Sequence, residues 1–410
     1  MDVLIFNQEK PTVLHVDINS CFATIEQQAN PFLRGKPVAV AAFTTPKGCI
    51  LAASVDAKKI GIKTGMMVRE GRKIYPKLVV LPSDPWKYRH VHLKLKKLLS
   101  DYSDKVYPKS IDEFALDLKD YLSLKETPLK LVAQEIKERI KKEIGDYITV
   151  SIGIAPNKYL AKVAAGFKKP DGLIEIDKSN FLDFYSKMKL TDLTGIKTGN
   201  ATRLNCQGIF SVLDFYNAPI WKLKSAFHSI TGLYWHLRLA GYEIDNVDFA
   251  RRSFGNSVAI GKNLSGTSEL SPILARLTEK MGGRLRAAGY RASGVHLTII
   301  YKDGTWWHKG KLLSSSLSDS RDFYKPAFRL LLEANPRSPV LNLAVSCFGL
   351  TKDKSLQLEI FENIEKKDNL IKAWDSVNER WGDFSVGTAK GFSAEKIVLD
   401  RVAFGMPGTS

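Results

Sequence analysis

The fold is decided by residues 13–28, which read VLHVDINSCFATIEQQ. The first part of this segment, up to Ile18, is mostly apolar and β-branched, which predicts a buried strand. Asn19 or Ser20 is a suitable cap for the helix that the remaining residues predict. The carboxylate of Asp17 is therefore expected at the end of a strand, beside the turn that leads into a helix.

Strand and helix signals continue outward from this segment to about residue 155. We expect strands and helices over Val38–Ala42, Ile50–Ala53, Tyr88–Tyr102, the region of Val106, Phe114–Leu118, Val132–Ile144 and Ile148–Ile154. Their order is β-α, an insertion, a helix, then β-β-α-β. This order predicts a ferredoxin-like domain that carries an inserted lobe.

A second β-α-β-β-α-β pattern follows Arg251. Its predicted elements are Ser257–Ile260, Leu270–Ala287, Val295–Tyr301, Thr305–Leu312, Arg321–Leu332 and Leu341–Phe348. The Asp303-Gly304 pair between the second and third strands is a strong hairpin signal. The residues after Thr351 are more polar, and we expect a tail with one or two short helices.

The charge of the chain indicates a polyanionic partner, either nucleic acid or an acidic membrane face. Lysine and arginine number 61 against 43 acidic residues, a net charge of +18. Half of the surplus lies between Arg251 and Pro339. No apolar segment is long enough to cross a membrane, and the four cysteines show neither zinc nor disulfide spacing. We therefore expect a cytoplasmic protein, nucleoid-associated when acting, with no membrane partner.

The sharpest chemical signal is a pair of adjacent carboxylates in the segment Ser110-Ile111-Asp112-Glu113. Together with Asp17, they supply hard oxygen ligands from two neighbouring strands, as a pair of divalent cations requires. By residue type alone, such a pair is more often a solvated turn. The surrounding motifs favour the metal site.

Several spaced motifs resemble the Y-family of DNA polymerases, the lesion-bypass class. They are Val16–Glu26, Leu33–Val40, Leu51–Gly61, Ser110–Glu113 and Gly153–Gly172. The resemblance runs from about Val13 to Phe348 and keeps the family's order of motifs. It extends to both the bacterial polymerase IV and the polymerase V catalytic-subunit branches. Asn19-Ser20 favours the polymerase V branch, but the subfamily stays open.

The resemblance implies an α+β multidomain fold, a right-hand polymerase with a ferredoxin-like palm, small fingers, a helical thumb and a ferredoxin-like little finger. The implied ranges are 1–27 and 88–177 for the palm, 28–87 for the fingers, 178–247 for the thumb, 248–255 for a linker, 256–351 for the little finger and 352–410 for a C-terminal tail.

The resemblance also implies template-directed transfer of nucleotides from dNTPs to a primer 3′-hydroxyl, with low fidelity and synthesis past lesions. Asp17 and Asp112 would bridge two Mg²⁺ ions, for which Mn²⁺ could substitute. The carbonyl of Ile18 would complete the nucleotide-side ion, and Glu113 would hold the catalytic one.

Three further residues match positions that contact the incoming nucleotide in the family. Phe22 matches the steric gate against the 2′-hydroxyl, although in isolation it would be taken as a core aromatic. Lys58 and Lys169 match basic groups on the triphosphate, although in isolation each would be a solvated surface residue. The chain departs from the family at Val55, where many relatives have an aromatic residue, and at Asn19, where many have an acid.

Two regions are expected to hold DNA without reading its sequence. The segment Leu193–Gly199 resembles a helix-hairpin-helix turn, whose glycines let backbone N–H groups approach a phosphate. The little finger and the basic linker before it would grip duplex through lysine and arginine. The expected DNA-binding residues are Gly195, Ile196, Lys197, Gly199, Arg251 and Arg252.

A short peptide beyond the last predicted domain resembles the segment by which such polymerases bind the bacterial sliding clamp. It spans residues 357–361, with Gln357, Leu358, Ile360 and Phe361 as the anchors. The alternative is a tail that packs on its own protein.

Two other functions fit part of the pattern. A non-enzymatic relative would only scaffold other polymerases at DNA, which the three carboxylates disfavour. A nucleotidyl cyclase shares the palm topology but would leave the helix-hairpin-helix turn and the basic C-terminal domain without a role. A Walker A ATPase is excluded because Thr388 and Ala389 follow the glycines at 382–387.

Overall fold

The computed structural model describes residues 4–119, 127–246, 251–352, 364–382, 384–394 and 397–398. The described residues before 247 form one compact unit, and those from 251 onward form a second. None of the described helices combines the length and the apolar character that a membrane span needs.

The first unit mixes short strands with helices. Its strands are β1 Val13–Ile18, β2 Val38–Ala41, β3 Ile50–Ala53, β4 Val79–Pro82, β5 Val106–Pro108, β6 Glu113–Asp117, β7 Val150–Ala155 and β8 Leu173–Glu175. Its helices are α1 Cys21–Ala29, α2 Val55–Lys59, α3 Val68–Ile74, α4 Pro85–Ser100, α5 Leu129–Arg139, α6 Lys158–Phe167, α7 Phe181–Ser186, α8 Thr198–Cys206, α9 Val212–Asn217, α10 Ile220–Phe227 and α11 Thr231–Leu239.

The main sheet of this unit has the strand order β5-β6-β1-β7-β8, with β1 antiparallel to both of its neighbours. Side chains along β1 alternate between its two faces. Leu14, Val16 and Ile18 enter a core that also contains residues of α1, α4 and α5. Asp17 therefore belongs to the opposite face of the strand, where α6 contacts β1 and β7.

The close approach of α6 to this face depends on a glycine. Gly153 of β7 pairs with His15 of β1, and a Cβ at Gly153 would lie 2.0 Å from the carbonyl oxygen of Ala161. No side chain fits in that gap. The glycine thus lets the helix pack directly on the strand beside the carboxylates.

The insertion after α1 folds around its own small sheet. Strand β2 pairs antiparallel with β3 and parallel with β4. These strands share a separate core with residues of α2 and α3. Ser54 caps helix α2, since its hydroxyl accepts a hydrogen bond from the Ala57 N–H at 3.2 Å.

The helices after β8 pack together with α6 around a further core rich in aromatic residues. A 3₁₀ turn at Leu190–Asp192 and a turn at Gly195 precede α8. Gly195 has φ +95°, a conformation that glycine adopts without strain.

The second unit has the predicted β-α-β-β-α-β order. Its elements are β9 Ser253–Ala259, α12 Thr267–Ala287, β10 Tyr290–Tyr301, β11 Trp306–Leu317, α13 Ser320–Ala334 and β12 Val340–Lys352, followed by α14 Ile364–Trp381 and a 3₁₀ helix at Ala389–Ala394. The sheet order is β11-β10-β12-β9, and every pair is antiparallel. The hairpin at Asp303-Gly304 joins β10 to β11, with Gly304 at φ +88°.

Three local predictions differ from the structure. Ser20 occupies the cap position of α1, but its side chain makes no cap hydrogen bond, and its φ is +51°. The helix predicted to Ile144 leaves α geometry after Arg139, where a π turn is closed by a bond from the Gly145 N–H to the Ile140 carbonyl at 3.1 Å. The first strand of the second unit, predicted to begin at Ser257, begins at Ser253.

The C-terminal segment contains a longer helix than the short ones expected. Helix α14 spans 18 residues. Arg286 of α12 donates two hydrogen bonds to Asp375 of α14, each at 2.6 Å. Ala394 and Val398 enter the core of the second unit. These contacts hold the described part of the segment on the second unit.

Candidate active site

Backbone pairing between two strands brings the carboxylates together. Asp17 of β1 is the register partner of Glu113 of β6. The Ile18 N–H donates to the carbonyl oxygen of Asp112 at 3.0 Å, directly beside that pair. Asp17, Asp112 and Glu113 line one cleft with a volume of about 550 Å³, together with Ile18.

Two lysines neutralise two of the carboxylates. The Lys169 ammonium donates to Asp17 Oδ2 at 2.5 Å, and the Lys162 ammonium donates to Glu113 Oε2 at 2.5 Å. The residues of the first pair lie 152 positions apart in the chain. The second pair depends on the packing of α6 against the strand.

Burial and neighbouring charge shift the pKa values of Asp17 and Glu113 in opposite directions. Burial raises the pKa of Asp17 to about 6, although Lys169 opposes the rise. Burial also acts to raise the pKa of Glu113 and is the largest single influence, but the hydrogen bond from Lys162 and the nearby positive charges together outweigh it, and the pKa lies below its usual value. In both pairs, the lysine ammonium group stabilises the ionised form of the carboxylate and so opposes the effect of burial.

The position of Asp112 is fixed by its own loop and by α4. Ser110 Oγ donates to Asp112 Oδ1 at 2.5 Å. His92 of α4 donates from Nδ1 to the Ile111 carbonyl at 3.0 Å, and its ring stacks on Phe114. The loop that carries Asp112 is therefore held from both sides.

His15 lies close to the two paired acids. Ligand atoms of His15, Asp17 and Glu113 lie within 4.8 Å of one another, close enough to surround a metal ion. The Nε2 atom of His15 is buried, makes no hydrogen bond and lies 3.8 Å from Glu113 Oε2. Burial lowers the pKa of His15 to about 3, so the ring is neutral near pH 7.

The cleft also contains the residues expected to contact a nucleotide. Phe22 and Lys58 line it, as do Lys169 and Val55. Burial lowers the pKa of Lys58, and repulsion from Lys169 adds to the effect. Phe22 is only 6% exposed, and its ring stacks on Tyr88 of α4. Its residual exposed surface belongs to the cleft wall.

Asn19 has a role that the sequence did not reveal. Its Oδ1 accepts from the Asp171 N–H at 2.8 Å and from Thr149 Oγ1 at 3.1 Å. Its Nδ2 donates to Ser151 Oγ at 2.8 Å. The amide thus ties the loop after Lys169 to the sheet. An acid here could not donate the bond to Ser151 when ionised.

Lys162, His15 and Tyr88 were also missed, although Lys162 and His15 carry a recognisable signal. Lys162 interrupts an otherwise apolar stretch of α6, and His15 interrupts an apolar strand. Polar residues at such positions require partners when buried. Only the structure identifies those partners.

The expected DNA contacts lie outside the cleft. Ile196 is buried, whereas Gly195, Lys197 and Gly199 are exposed around the turn before α8. Arg251 and Arg252 are exposed and precede β9 in the second unit. The expected clamp-binding residues 357–361 lie outside the described part of the chain.

Comparison with known proteins identifies the family. Residues 16–166 match the impB/mucB/samB family, and residues 251–360 match the C-terminal domain of the impB/mucB/samB family. The chain is 31% identical to DNA polymerase IV of Pelotomaculum thermopropionicum, over 95% of this chain and 97% of that protein. It is 32% identical to DNA polymerase IV of Moorella thermoacetica, over 91% and 94%.

The chain belongs to the Y-family of DNA polymerases. A solved Y-family DNA polymerase chimera of Dbh and Dpo4 is similar with a TM-score of 0.73 and 26% identity, covering 83% of this chain and 99% of that one. An insertion ternary complex of Dbh DNA polymerase is similar with a TM-score of 0.57 and 26% identity, covering 82% and 98%. The predicted family, fold class and enzyme class are confirmed.

Proposed function

We propose that this Y-family polymerase copies a DNA template by adding dNTPs to a primer, with Asp17, Asp112 and Glu113 as the residues that hold its metal ions. The observation that carries this proposal is the register between β1 and β6, since it pairs Asp17 with Glu113 in the cleft. The Ile18 carbonyl completes the ligand set.

The donor set fits Mg²⁺, a hard cation that prefers carboxylate and carbonyl oxygens. Two of the acids already attract lysine ammonium groups at 2.5 Å, so the site concentrates negative charge. Bound there, Mg²⁺ would lower the pKa of the primer 3′-hydroxyl and neutralise the transferring phosphate. Mn²⁺ has similar ligand preferences and is expected to substitute.

The cleft residues around the carboxylates would bind and orient the nucleotide. Lys58 and Lys169 supply positive charge for the triphosphate. Phe22 offers a rigid apolar surface to the sugar, so that a 2′-hydroxyl would collide with the ring. Val55, in place of an aromatic residue, leaves the triphosphate contact to the lysines.

Duplex DNA would be held by two surfaces. The exposed turn at Gly195, Lys197 and Gly199 offers backbone N–H groups to a phosphate. The exposed Arg251 and Arg252, with the basic second unit, would add contacts that weaken as salt rises. The proposed domains keep the bounds that the family resemblance implies: palm 1–27 and 88–177, fingers 28–87, thumb 178–247, linker 248–255, little finger 256–351 and C-terminal tail 352–410.

Running-start primer extension tests the function. Templates with and without a lesion are copied with all four dNTPs and with each dNTP alone. We expect extension that depends on Mg²⁺, frequent misinsertion and passage beyond the lesion. A preparation that binds primer-template DNA but extends nothing would instead favour the non-enzymatic scaffold.

The two named relatives are DNA polymerase IV proteins, so they favour the polymerase IV branch for this chain.

The peptide Gln357-Leu358-Glu359-Ile360-Phe361 would recruit the polymerase to a bacterial sliding clamp at the nucleoid, in the cytoplasm. Surface plasmon resonance on immobilised clamp tests this. Replacing Gln357, Leu358 and Phe361 with alanine should abolish clamp binding and leave primer extension without the clamp unchanged.

A further inference from the structure

Lys162 holds the carboxylate of Glu113, and this lysine was not among the expected site residues. We propose that Lys162 is a positioning residue that serves as the internal counter-ion of Glu113 and competes with the divalent cation for its carboxylate. This inference rests on the proposed role of Glu113 as a metal ligand. It adds a residue that sets the affinity of the site for metal.

The contact is direct and partly shielded from water. The Lys162 ammonium lies 2.5 Å from Glu113 Oε2, and the two side chains are 34% and 17% exposed. A charged hydrogen bond of this length in a partly buried setting is stronger than a fully exposed ion pair. The carboxylate therefore has one oxygen engaged before any metal enters.

The position of Lys162 beside Glu113 is set by the packing of helix α6, and not by a chance contact between two flexible side chains. Ala161 and Val163, on either side of Lys162, are buried in the core that α6 shares with the helices after β8. The close approach of α6 at Gly153 fixes the helix against β7. The backbone of Lys162 therefore has a fixed position relative to Glu113.

The other neighbour of Glu113 cannot replace the lysine as a counter-ion. His15 Nε2 lies farther away, 3.8 Å from Glu113 Oε2. Its side chain is buried and neutral near pH 7. Of these two contacts, only the Lys162 ammonium supplies a full positive charge to Glu113.

Competition follows from electrostatics. A divalent cation and an ammonium group that share one carboxylate repel each other, so each lowers the affinity for the other. Lys169 stands in the same relation to Asp17, but it is also expected to bind the triphosphate. Lys162 does not line the cleft, which separates its effect from nucleotide binding.

Direct binding of Mn²⁺ to the full chain, without DNA or nucleotide, tests the proposal by electron paramagnetic resonance. Lys162→Met keeps most of the length of the side chain and removes its charge. We expect its Mn²⁺ affinity to rise about threefold to tenfold. Lys162→Arg keeps the charge and should remain near the parent. Lys187→Met is the matched control, because Lys187 forms a 2.6 Å pair with Asp183 outside the cleft.

A double-mutant cycle separates this proposal from a purely structural role. In a Glu113→Gln background, Lys162→Met should no longer raise Mn²⁺ affinity, because the shared carboxylate is gone. Unchanged or weaker Mn²⁺ binding by Lys162→Met overturns the proposal. If that variant fails to fold by circular dichroism, Lys162→Gln takes its place with the same expected result. Should Glu113→Gln alone leave Mn²⁺ binding intact, the proposed metal site itself would fail.

Discussion

The ring of Phe22 lies parallel to the ring of Tyr88, with 4.3 Å between centroids and 13° between planes. The hydroxyl of Tyr88 donates to Glu26 Oε1 at 2.9 Å, and Glu26 lies one helical turn after Phe22 on α1. Lys87 binds the other carboxylate oxygen at 2.6 Å. The expected sugar-contacting ring is thus backed by a second ring that is itself anchored.

Phe22→Ala should relax discrimination against ribonucleotides. With the ring removed, a 2′-hydroxyl meets open space, and we expect ribonucleotide incorporation to rise about tenfold or more relative to deoxyribonucleotides. Single-nucleotide insertion kinetics measure the ratio. Phe32→Ala is the control, because Phe32 is 84% exposed and does not line the cleft. Unchanged discrimination in Phe22→Ala would contradict the role of Phe22 as the steric gate.

Tyr88→Leu should relax the same discrimination to a smaller extent. Leucine fills part of the volume but cannot stack, so the Phe22 ring gains freedom to tilt. Tyr88→Phe keeps the stack and loses only the hydrogen bond to Glu26, and it should remain close to the parent. The same insertion assay compares the two variants. Equal discrimination by Tyr88→Leu and the parent would mean that Phe22 needs no support.

Asp17→Asn should stabilise the metal-free protein at high pH. A carboxyl whose pKa rises on folding stabilises the fold only when protonated, so this stability is lost as the pH rises from about 4 through about 6. Asparagine avoids the cost of burying the charge. At pH 8 in EDTA we expect a gain of about 1–3 kcal/mol in the free energy of unfolding.

Urea unfolding of the parent and of Asp17→Asn at pH 8 and pH 4 makes the comparison. The gain should be present at pH 8 and should be much smaller at pH 4, where Asp17 is protonated in the folded state and partly protonated in the unfolded state. A difference that is the same at both values would mean that the burial of charge at Asp17 is not its cause.

Gly199→Ala should weaken DNA binding without weakening the fold. A Cβ at Gly199 meets no protein atom within 4 Å, so the variant should fold as the parent does. The methyl group would instead occupy space that a phosphate approaches. Fluorescence anisotropy with two unrelated duplexes should show the same loss for both. Gly166→Ala, where a Cβ also meets nothing, is the control and should bind as the parent does.

Local sequence signals were sufficient for most of the element order, whereas the expectation that the carboxylates meet depended on the family motifs around them. The strand ending at Asp17 and the strand after Asp112 each carry apolar residues on the face toward the core, which fixes the opposite face for the acids. In the second unit, the Asp303-Gly304 turn sets the hairpin register. Its strands extend several residues beyond the predicted ends, because tertiary pairing continues past the apolar core.

Contacts between residues far apart in the chain could not be predicted from the sequence. Lys162 and Glu113 lie 49 positions apart, and their contact depends on how closely α6 packs at Gly153. The bonds of Asn19 to Thr149 and Asp171 depend on strand register in the same way. Residue type indicates that such side chains need partners, but only the folded chain selects the partner.

Primer extension by Asp112→Asn, measured together with DNA binding, tests the central claim most directly. Asparagine keeps the shape of the side chain and removes the charge that the metal ions require. Asp117→Asn is the matched control, because Asp117 lies at the far end of strand β6, which follows Asp112, and is outside the cleft lining. We expect Asp112→Asn to bind primer-template DNA as the parent does and to extend it at least about a thousandfold more slowly. Extension at the parent's rate would contradict the account.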